Sequence, residues 1–254
     1  MFKKLFNLLL AAVLVVAVAG CGGSDTAKSD TAKVLKVGSS CDFAPFEFQG
    51  EKEYEGFDMD IIRAVGKEMG YQVEINNITF DGLIPALQAG NIDVAISGMT
   101  ITKEREESVL FSAPYYESGL SIAVPVDNTT IKGFDDLVGK TVAVQIGTTS
   151  ALTVGEMEGV TARNFTSSSD TFQELRAGGV DAVVNDKPVI ETYLRESKDT
   201  SVRMLDELMT SENYGIAMTK DKAELKAEID KALEKIKANG TYDEIYTKWF
   251  GEKK

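Results

Sequence analysis

The chain has 254 residues, long enough for one or two domains with cores of their own, and its 43% apolar and 26% charged residues are those of an ordinary soluble globular protein. A formal charge of −13 argues against nucleic acid as a partner, because affinity for a phosphate backbone comes from Lys and Arg. The absence of histidine removes Ser-His and Cys-His catalysis and His-based metal sites; no cofactor and no metal is expected.

In chain order, Met1–Lys4 carries two positive charges, Leu8–Ala19 is an apolar run too short for a comfortable membrane span, and the small residues Val18-Ala19-Gly20 precede Cys21. Residues 1–20 therefore read as a signal peptide. Its ending resembles a bacterial lipobox, which implies cleavage before Cys21 and acylation of that thiol, with diacylglycerol and palmitate as the anchor; the alternative is an ordinary signal peptide with an incidental Cys. Residues 21–33 contain no large apolar side chain and read as a flexible tether. The chain is thus expected to work outside the cytoplasm, lipid-anchored to a membrane. Cys41 is the one other cysteine, so a lipidated Cys21 leaves it without a disulfide partner.

Apolar spacing then alternates between two and 3.6. Val34, Leu35 and Val37 predict a strand; Phe57, Ile61, Ile62, Val65 and Met69 a helix stopped by Gly70; Tyr71, Val73 and Ile75 a strand; Leu83, Ile84 and Leu87 a helix closed by Gly90; Asp93–Ile96 a strand. The order returns as strand Thr141–Gln145, a helix from Thr149, strand Val160–Phe165, helix Asp170–Ala177 and strand Asp181–Val184. A long helix follows, with Asp221 and Glu224 as its capping pattern and Leu225, Ile229, Leu233 and Ile236 as its stripe; Gly240 ends it, and Tyr242–Phe250 reads as one more. This order implies α/β architecture, with mostly parallel sheets flanked by helices.

A weak internal repeat sharpens the picture. LQAGNIDVAISG (Leu87–Gly98) matches LRAGGVDAVVND (Leu175–Asp186), so Ser97-Gly98 corresponds to Asn185-Asp186. Chance gives short matches of this kind; two lobes of similar construction is the favoured reading. Both pairs leave the carboxyl end of an apolar strand, where open α/β sheets bind ligands.

Seven segments in order carry a resemblance: FAPFEF (Phe43–Phe48), GFDMD (Gly56–Asp60), FDGLIPALQAGNID (Phe80–Asp93), SGMTITKER (Ser97–Arg105), FSAPYY (Phe111–Tyr116), VAVQIGTTS (Val142–Ser150) and NGTYDEIYTKWFG (Asn239–Gly251). Across Val34–Lys254 the chain resembles the bacterial extracellular solute-binding proteins of family 3, the amino-acid-binding components of ABC importers, and among them the polar and basic amino-acid group. The resemblance implies a two-lobed, type II periplasmic-binding-protein-like fold. Lobe 1 spans residues 34–121 plus 217–254 and lobe 2 residues 122–216, joined by hinge strands in Ser118–Val124 and Tyr214–Met218. The expected partners are a small amino acid, a membrane permease and the membrane itself through the lipid anchor; the protein is expected to act as a monomer.

A zwitterion must have both charges answered when it is buried. Arg105 resembles the family's carboxylate fork; spacing alone reads it as a surface arginine in KEREE. Thr100 supplies a hydroxyl beside it, and Ser97 and Gly98 supply close backbone, with the Gly98 carbonyl toward the ammonium. Thr148 and Thr149, between a strand and a helix, either complete the carboxylate site or cap the helix. Asp186 is matched to the ammonium, with helix capping before Pro188 as its other reading. Phe43 and Phe80 resemble the aromatic walls around the ligand side chain. Specificity stays open between glutamine and a basic amino acid such as arginine. Ser40 stands where some members carry an acid, with Asp42 and Glu47 nearby, and Gln145 stands where the glutamine pattern has Lys. Gly139-Lys140-Thr141 imitates a P-loop end, but Phe134 occupies the required glycine and a strand follows instead of precedes. An enzyme on the same scaffold and a ligand-presenting sensor component are the rival functions.

Overall fold

The computed structural model describes residues 33–252; the signal peptide, Cys21 and the tether up to residue 32 lie outside the described residues. The first half opens with β1 (Lys33–Ser39), followed by three short antiparallel strands, β2 (Asp42–Phe43), β3 (Glu47–Gln49) and β4 (Tyr54–Glu55). Next come α1 (Phe57–Met69), β5 (Tyr71–Asn77), a 3-10 turn at Phe80–Gly82, α2 (Leu83–Gln88), β6 (Val94–Ala95), α3 (Lys103–Ser108) and β7 (Val109–Phe111). The chain crosses through β8 (Tyr116–Ser118) into β9 (Leu120–Pro125) and a 3-10 turn at Phe134–Leu137. There follow β10 (Thr141–Gln145), α4 (Thr149–Glu156), β11 (Thr161–Phe165), α5 (Ser168–Arg176), β12 (Ala182–Asp186), α6 (Lys187–Ser197) and β13 (Val202–Met204). It returns through β14 (Glu212–Tyr214) and β15 (Ala217–Thr219) and ends with α7 (Ala223–Ala238) and α8 (Thr241–Phe250).

Two five-stranded sheets result, ordered β5-β1-β6-β15-β7 and β11-β10-β12-β9-β13. The first three strands of each are parallel, as the repeated strand-helix order requires. The last two pair antiparallel, so both sheets are mixed and the expectation of mostly parallel sheets holds on one side of each only. The reason is connectivity: β7, β9, β13 and β15 carry the chain between sheets, and a direct crossing returns in the opposite sense. β8 and β14 pair with each other as a separate two-stranded ribbon between the sheets.

The internal repeat is a structural one. Gly90 and Gly178 both take left-handed conformations, with φ of 72° and 73°, that turn α2 and α5 into the next strand. Asp93 then accepts the Lys36 N–H of β1 at 3.0 Å, and Asp181 accepts the Thr141 N–H of β10 at 2.8 Å. The same acid ties the same turn to the middle parallel strand in each sheet.

α1 buries Phe57, Ile61, Ile62 and Val65 on one face and stops at Gly70, φ 74°. Phe57 meets Tyr116 of the ribbon at 5.5 Å and Phe250 of α8 at 5.1 Å between ring centroids; Phe46 meets Tyr214 of the ribbon at 5.2 Å. Asp60 accepts from Trp249 Nε1 and Lys248 Nζ, both at 2.8 Å, and holds α8 in place. The expected capping of α7 by Asp221 does not occur. Lys222 is the N-cap residue with no side-chain bond, because a turn closes first, with Lys222 N–H donating to Thr219 O at 3.0 Å.

Because Phe57 sits at the centre of this aromatic block, Phe57→Ala is expected to destabilise the fold by about 3–5 kcal/mol, read from the denaturant midpoint at unchanged slope.

Candidate functional site

β6 ends at Ala95, and Ile96 leads into Ser97-Gly98. Gly98 has φ 53°, and a Cβ there would lie 2.9 Å from the Phe43 ring, so glycine is required on both counts. Two fully buried acids sit against this turn. Gly98 N–H and Tyr115 OH both donate to Asp58 Oδ2 at 2.7 Å, and Ser97 Oγ donates to Glu47 Oε1 at 2.7 Å while accepting the Ser40 N–H at 3.0 Å. Glu47 Oε2 and Asp58 Oδ1 are buried with no donor from elsewhere in the described residues, and the two carboxyl groups lie within bonding reach of each other, so a proton shared between them would satisfy both. Burial pushes Glu47 well above the ordinary carboxylate range, with the Asp58 charge adding to it; burial pushes Asp58 up to about 7 against its three donors. With its N–H held by Asp58, Gly98 is left with its carbonyl for other work.

After Thr102 the chain turns into α3. Thr102 caps it, its hydroxyl accepting the Arg105 N–H at 3.2 Å, which sets Arg105 in the first turn. The Arg105 side chain is buried, not paired with Glu104 or Glu106 on the surface. Nη1 donates to Thr100 O at 2.7 Å, Nη2 donates to Gly147 O at 3.0 Å, and the guanidinium lies 5.3 Å from the centroid of the Phe80 ring. The Gly147 bond reaches from the β6 side of the molecule to the loop after β10. Gly147, φ 80°, completes the approach: a Cβ there would stand 3.1 Å from Asp81 Cβ.

On that second side, Thr148 is the N-cap of α4, accepting from Ala151 N–H at 3.3 Å and donating to Gln145 O at 2.7 Å. The capping reading of Thr148 therefore describes its hydroxyl. Gln145 Nε2 donates to Thr166 O at 3.2 Å and lies within bonding reach of Asp42. Asp42 itself crosses to α5, where its Oδ2 accepts the Ser168 N–H at 2.8 Å. Asn185 turns toward α5, donating to Ser168 Oγ at 2.8 Å. Asp186 occupies the N-cap position of α6 but makes no side-chain cap. Instead its Oδ1 accepts from Ser118 Oγ at 2.9 Å and from Tyr214 OH, one hydroxyl from each strand of the ribbon. Burial, and next the charge of Glu212, push Asp186 up to about 7.

Every ligand position expected from the sequence lines one cleft: Phe43, Phe80, Ser97, Gly98, Thr100, Arg105, Gln145, Thr148, Thr149 and Asp186, with Ser40 and Glu47 completing the wall. Sequence reasoning missed Glu212, Tyr214 and Ser118 as neighbours of this site, and the Asp58–Tyr115 support beneath it. Glu212 has no periodic or motif signal, since it opens a ribbon strand of three residues; only its pairing across the fold reveals it. Among the described residues no group of three or more His, Cys, Asp or Glu is arranged to hold a metal, and no helix is long and apolar enough to cross a membrane.

A model of the bacterial extracellular solute-binding proteins, family 3, matches residues 35–252. The chain belongs to that family. This solute-binding protein is 34% identical over 256 residues to the arginine-binding extracellular protein ArtP of Bacillus subtilis (strain 168), spanning 99% of this chain and 100% of the relative. Among solved structures, an ancestral arginine-binding protein is similar in two forms. Bound to glutamine it gives a TM-score of 0.83 at 47% identity, and bound to arginine 0.84 at 46%, each match covering 86% of this chain and 98% of the other. The fold is the two-lobed α/β fold of periplasmic amino-acid-binding proteins.

The Glu47–Asp58 pair makes a pH prediction for this solute-binding protein. Both acids bind a proton more tightly folded than unfolded, so the stability they allow is full at acidic pH. It declines as pH rises from the ordinary carboxylate values, 4.5 and 3.8, toward about 7. Glu47→Gln keeps a donor toward Asp58 and an acceptor for Ser97 without needing the proton. Thermal midpoints measured from pH 5 to pH 8 should fall less in the variant, at about 2–4 °C for each kcal/mol recovered; equal slopes refute the shared proton.

Proposed function

We propose that the protein is the extracytoplasmic substrate-binding component of an ABC importer, capturing a polar L-amino acid in the cleft and delivering it to a membrane permease. The observation that carries the reading is that Arg105 and Asp186, brought from opposite sides, line the same small cleft and feel each other's charge. Arg105 receives the guest's carboxylate. It has five N–H donors, and the two bonds to Thr100 O and Gly147 O leave the others for the guest. The first N–H groups of α4, which have no intrahelical partner, add to the same corner. Asp186 and the Gly98 carbonyl receive the ammonium, and Phe43 and Phe80 flank the side chain. The amino acid is bound and released unchanged, with no catalysis.

The lobes are residues 34–121 plus 217–254 and residues 122–216, give or take the two residues of β9 that already pair in the second sheet, and the β8–β14 ribbon is their hinge. Closure is a population shift, since only the shut form touches the guest from both sides. A signal peptide over 1–20, acylation at Cys21 and the tether to residue 33 keep the protein, as a monomer, at the membrane that holds its permease.

Between the two guests left open, the charge around the cleft favours a basic one. Arg105 is the one basic side chain in the lining, against Asp186, with Asp42, Glu212 and the single charge shared by the Glu47–Asp58 pair behind it. An extra cation on the guest lowers the free energy of that arrangement, whereas a glutamine amide does not. Calorimetry with L-arginine, L-lysine, L-histidine and L-glutamine should therefore rank a basic amino acid first; tighter binding of glutamine overturns the preference, and no binding of any amino acid overturns the function.

Arg105→Ala and Asp186→Asn should each weaken binding by about two to three orders of magnitude with unchanged circular dichroism, because one pole of a buried zwitterion is left unanswered. The pH dependence has a definite sign. Asp186 must be ionised to meet the ammonium, so affinity should fall as pH drops below about 7, and binding near neutrality should release a proton, seen as a dependence of the calorimetric enthalpy on buffer.

A further inference from the structure

Glu212 is buried on β14, at the centre of the crossing between the two sheets. Its Oε2 accepts two hydroxyls: Thr100 Oγ1 at 2.5 Å, from the turn after β6, and Thr149 Oγ1 at 2.9 Å, from the first residue of α4. Its Oε1 accepts Thr210 Oγ1 at 3.1 Å, from the ribbon's own approach. One carboxylate therefore gathers donors from the first sheet's side, the second sheet's side and the connection between them. Bonds to an ionised acceptor are roughly twice as strong as neutral ones. Arg105 and Asp186 both lie within range of its charge, which steadies the first as a cation and opposes ionisation of the second.

We propose that Glu212 is a positioning residue for amino-acid capture, a latch that holds Thr100 and Thr149 together across the shut cleft. The inference rests on the amino-acid-binding reading above. Thr100 belongs to the lobe of residues 34–121 and Thr149 to that of residues 122–216, so the two hydroxyls meet on one carboxylate oxygen only in the shut form. The latch also fixes what the two hydroxyls can do. With their protons directed at Glu212, they face the cleft with lone pairs only. The guest's carboxylate is then left to Arg105 and the start of α4, and the threonines favour N–H donors on the guest.

Calorimetry and stopped-flow release of L-arginine from the full chain test the latch, using Glu212→Ala, Glu212→Gln, Thr149→Val and the Glu212→Ala/Thr149→Val double variant. Glu212→Ala should lose about tenfold in affinity, the effect of one or two charge-assisted hydrogen bonds, with faster release and a near-unchanged association rate. Thr149→Val should lose a similar factor, and the double variant should be little worse than Glu212→Ala, since both remove the same contact. Glu212→Gln, which keeps one acceptor oxygen, should fall between. Wild-type affinity and release in Glu212→Ala overturn the latch, as do losses that multiply in the double variant. If Glu212→Ala lacks native circular dichroism, Glu212→Gln with Thr149→Val makes the same comparison. A wild-type chain that binds no amino acid overturns the underlying reading instead, and so separates the two failures.

Discussion

A guanidinium cannot be buried unless something answers it on every side. Arg105 is 8% exposed, and the cleft is organised around that requirement. Carbonyls of Thr100 and Gly147 reach it from opposite sides, the Phe80 ring lies against it, and the charges of Glu212 and Asp186 stand within range. Desolvation alone lowers its proton affinity, and Glu212 is the first of the groups that restore it. The bond to Gly147 O belongs to both halves of the molecule at once, so the same cation that receives a guest's carboxylate in our reading also records whether the halves have met.

The acids divide into two sets by what they hold. Glu47 and Asp58 lie under the Ser97-Gly98 turn and bind its N–H and hydroxyl groups, which orients the turn toward the cleft without exposing a second charge. Asp186 and Glu212 are tied to the β8–β14 ribbon, one through Ser118 and Tyr214 and the other by its place on β14. Tyr214 in turn packs on Phe46 and Tyr116, within the aromatic block that contains Phe57 and α8. Side chains that line the cleft and side chains that brace the crossing are therefore the same or adjacent residues.

The sequence by itself determined the strands and helices of the two repeated units and the last two helices, and left β2–β4, α3, β7, α6 and β13 unread. Spacing of two and 3.6 placed β1, α1, β5, β10 and α8 close to their observed limits, and the match of Leu87–Gly98 to Leu175–Asp186 marked the two turns where Asp93 and Asp181 bind equivalent N–H groups. These features are local: they depend on burial of one face and on glycine at positive φ, and both are written in adjacent residues. The resemblance supplied the cleft residues, and all of them line one cavity.

Only the tertiary structure decided how those residues are used. The threonine hydroxyls go to Gln145 O and to Glu212, and Asp186 turns from capping α6 to the ribbon. Half the pairings in each sheet run antiparallel, and Asp221 leaves α7 uncapped. Each of these is a choice among partners distant in sequence: Thr100 and Glu212 are 112 residues apart, Asp42 and Ser168 126. A hydroxyl or carboxylate has the same local preferences wherever it stands in the chain, and which donor reaches it first is settled by where the fold brings the backbone.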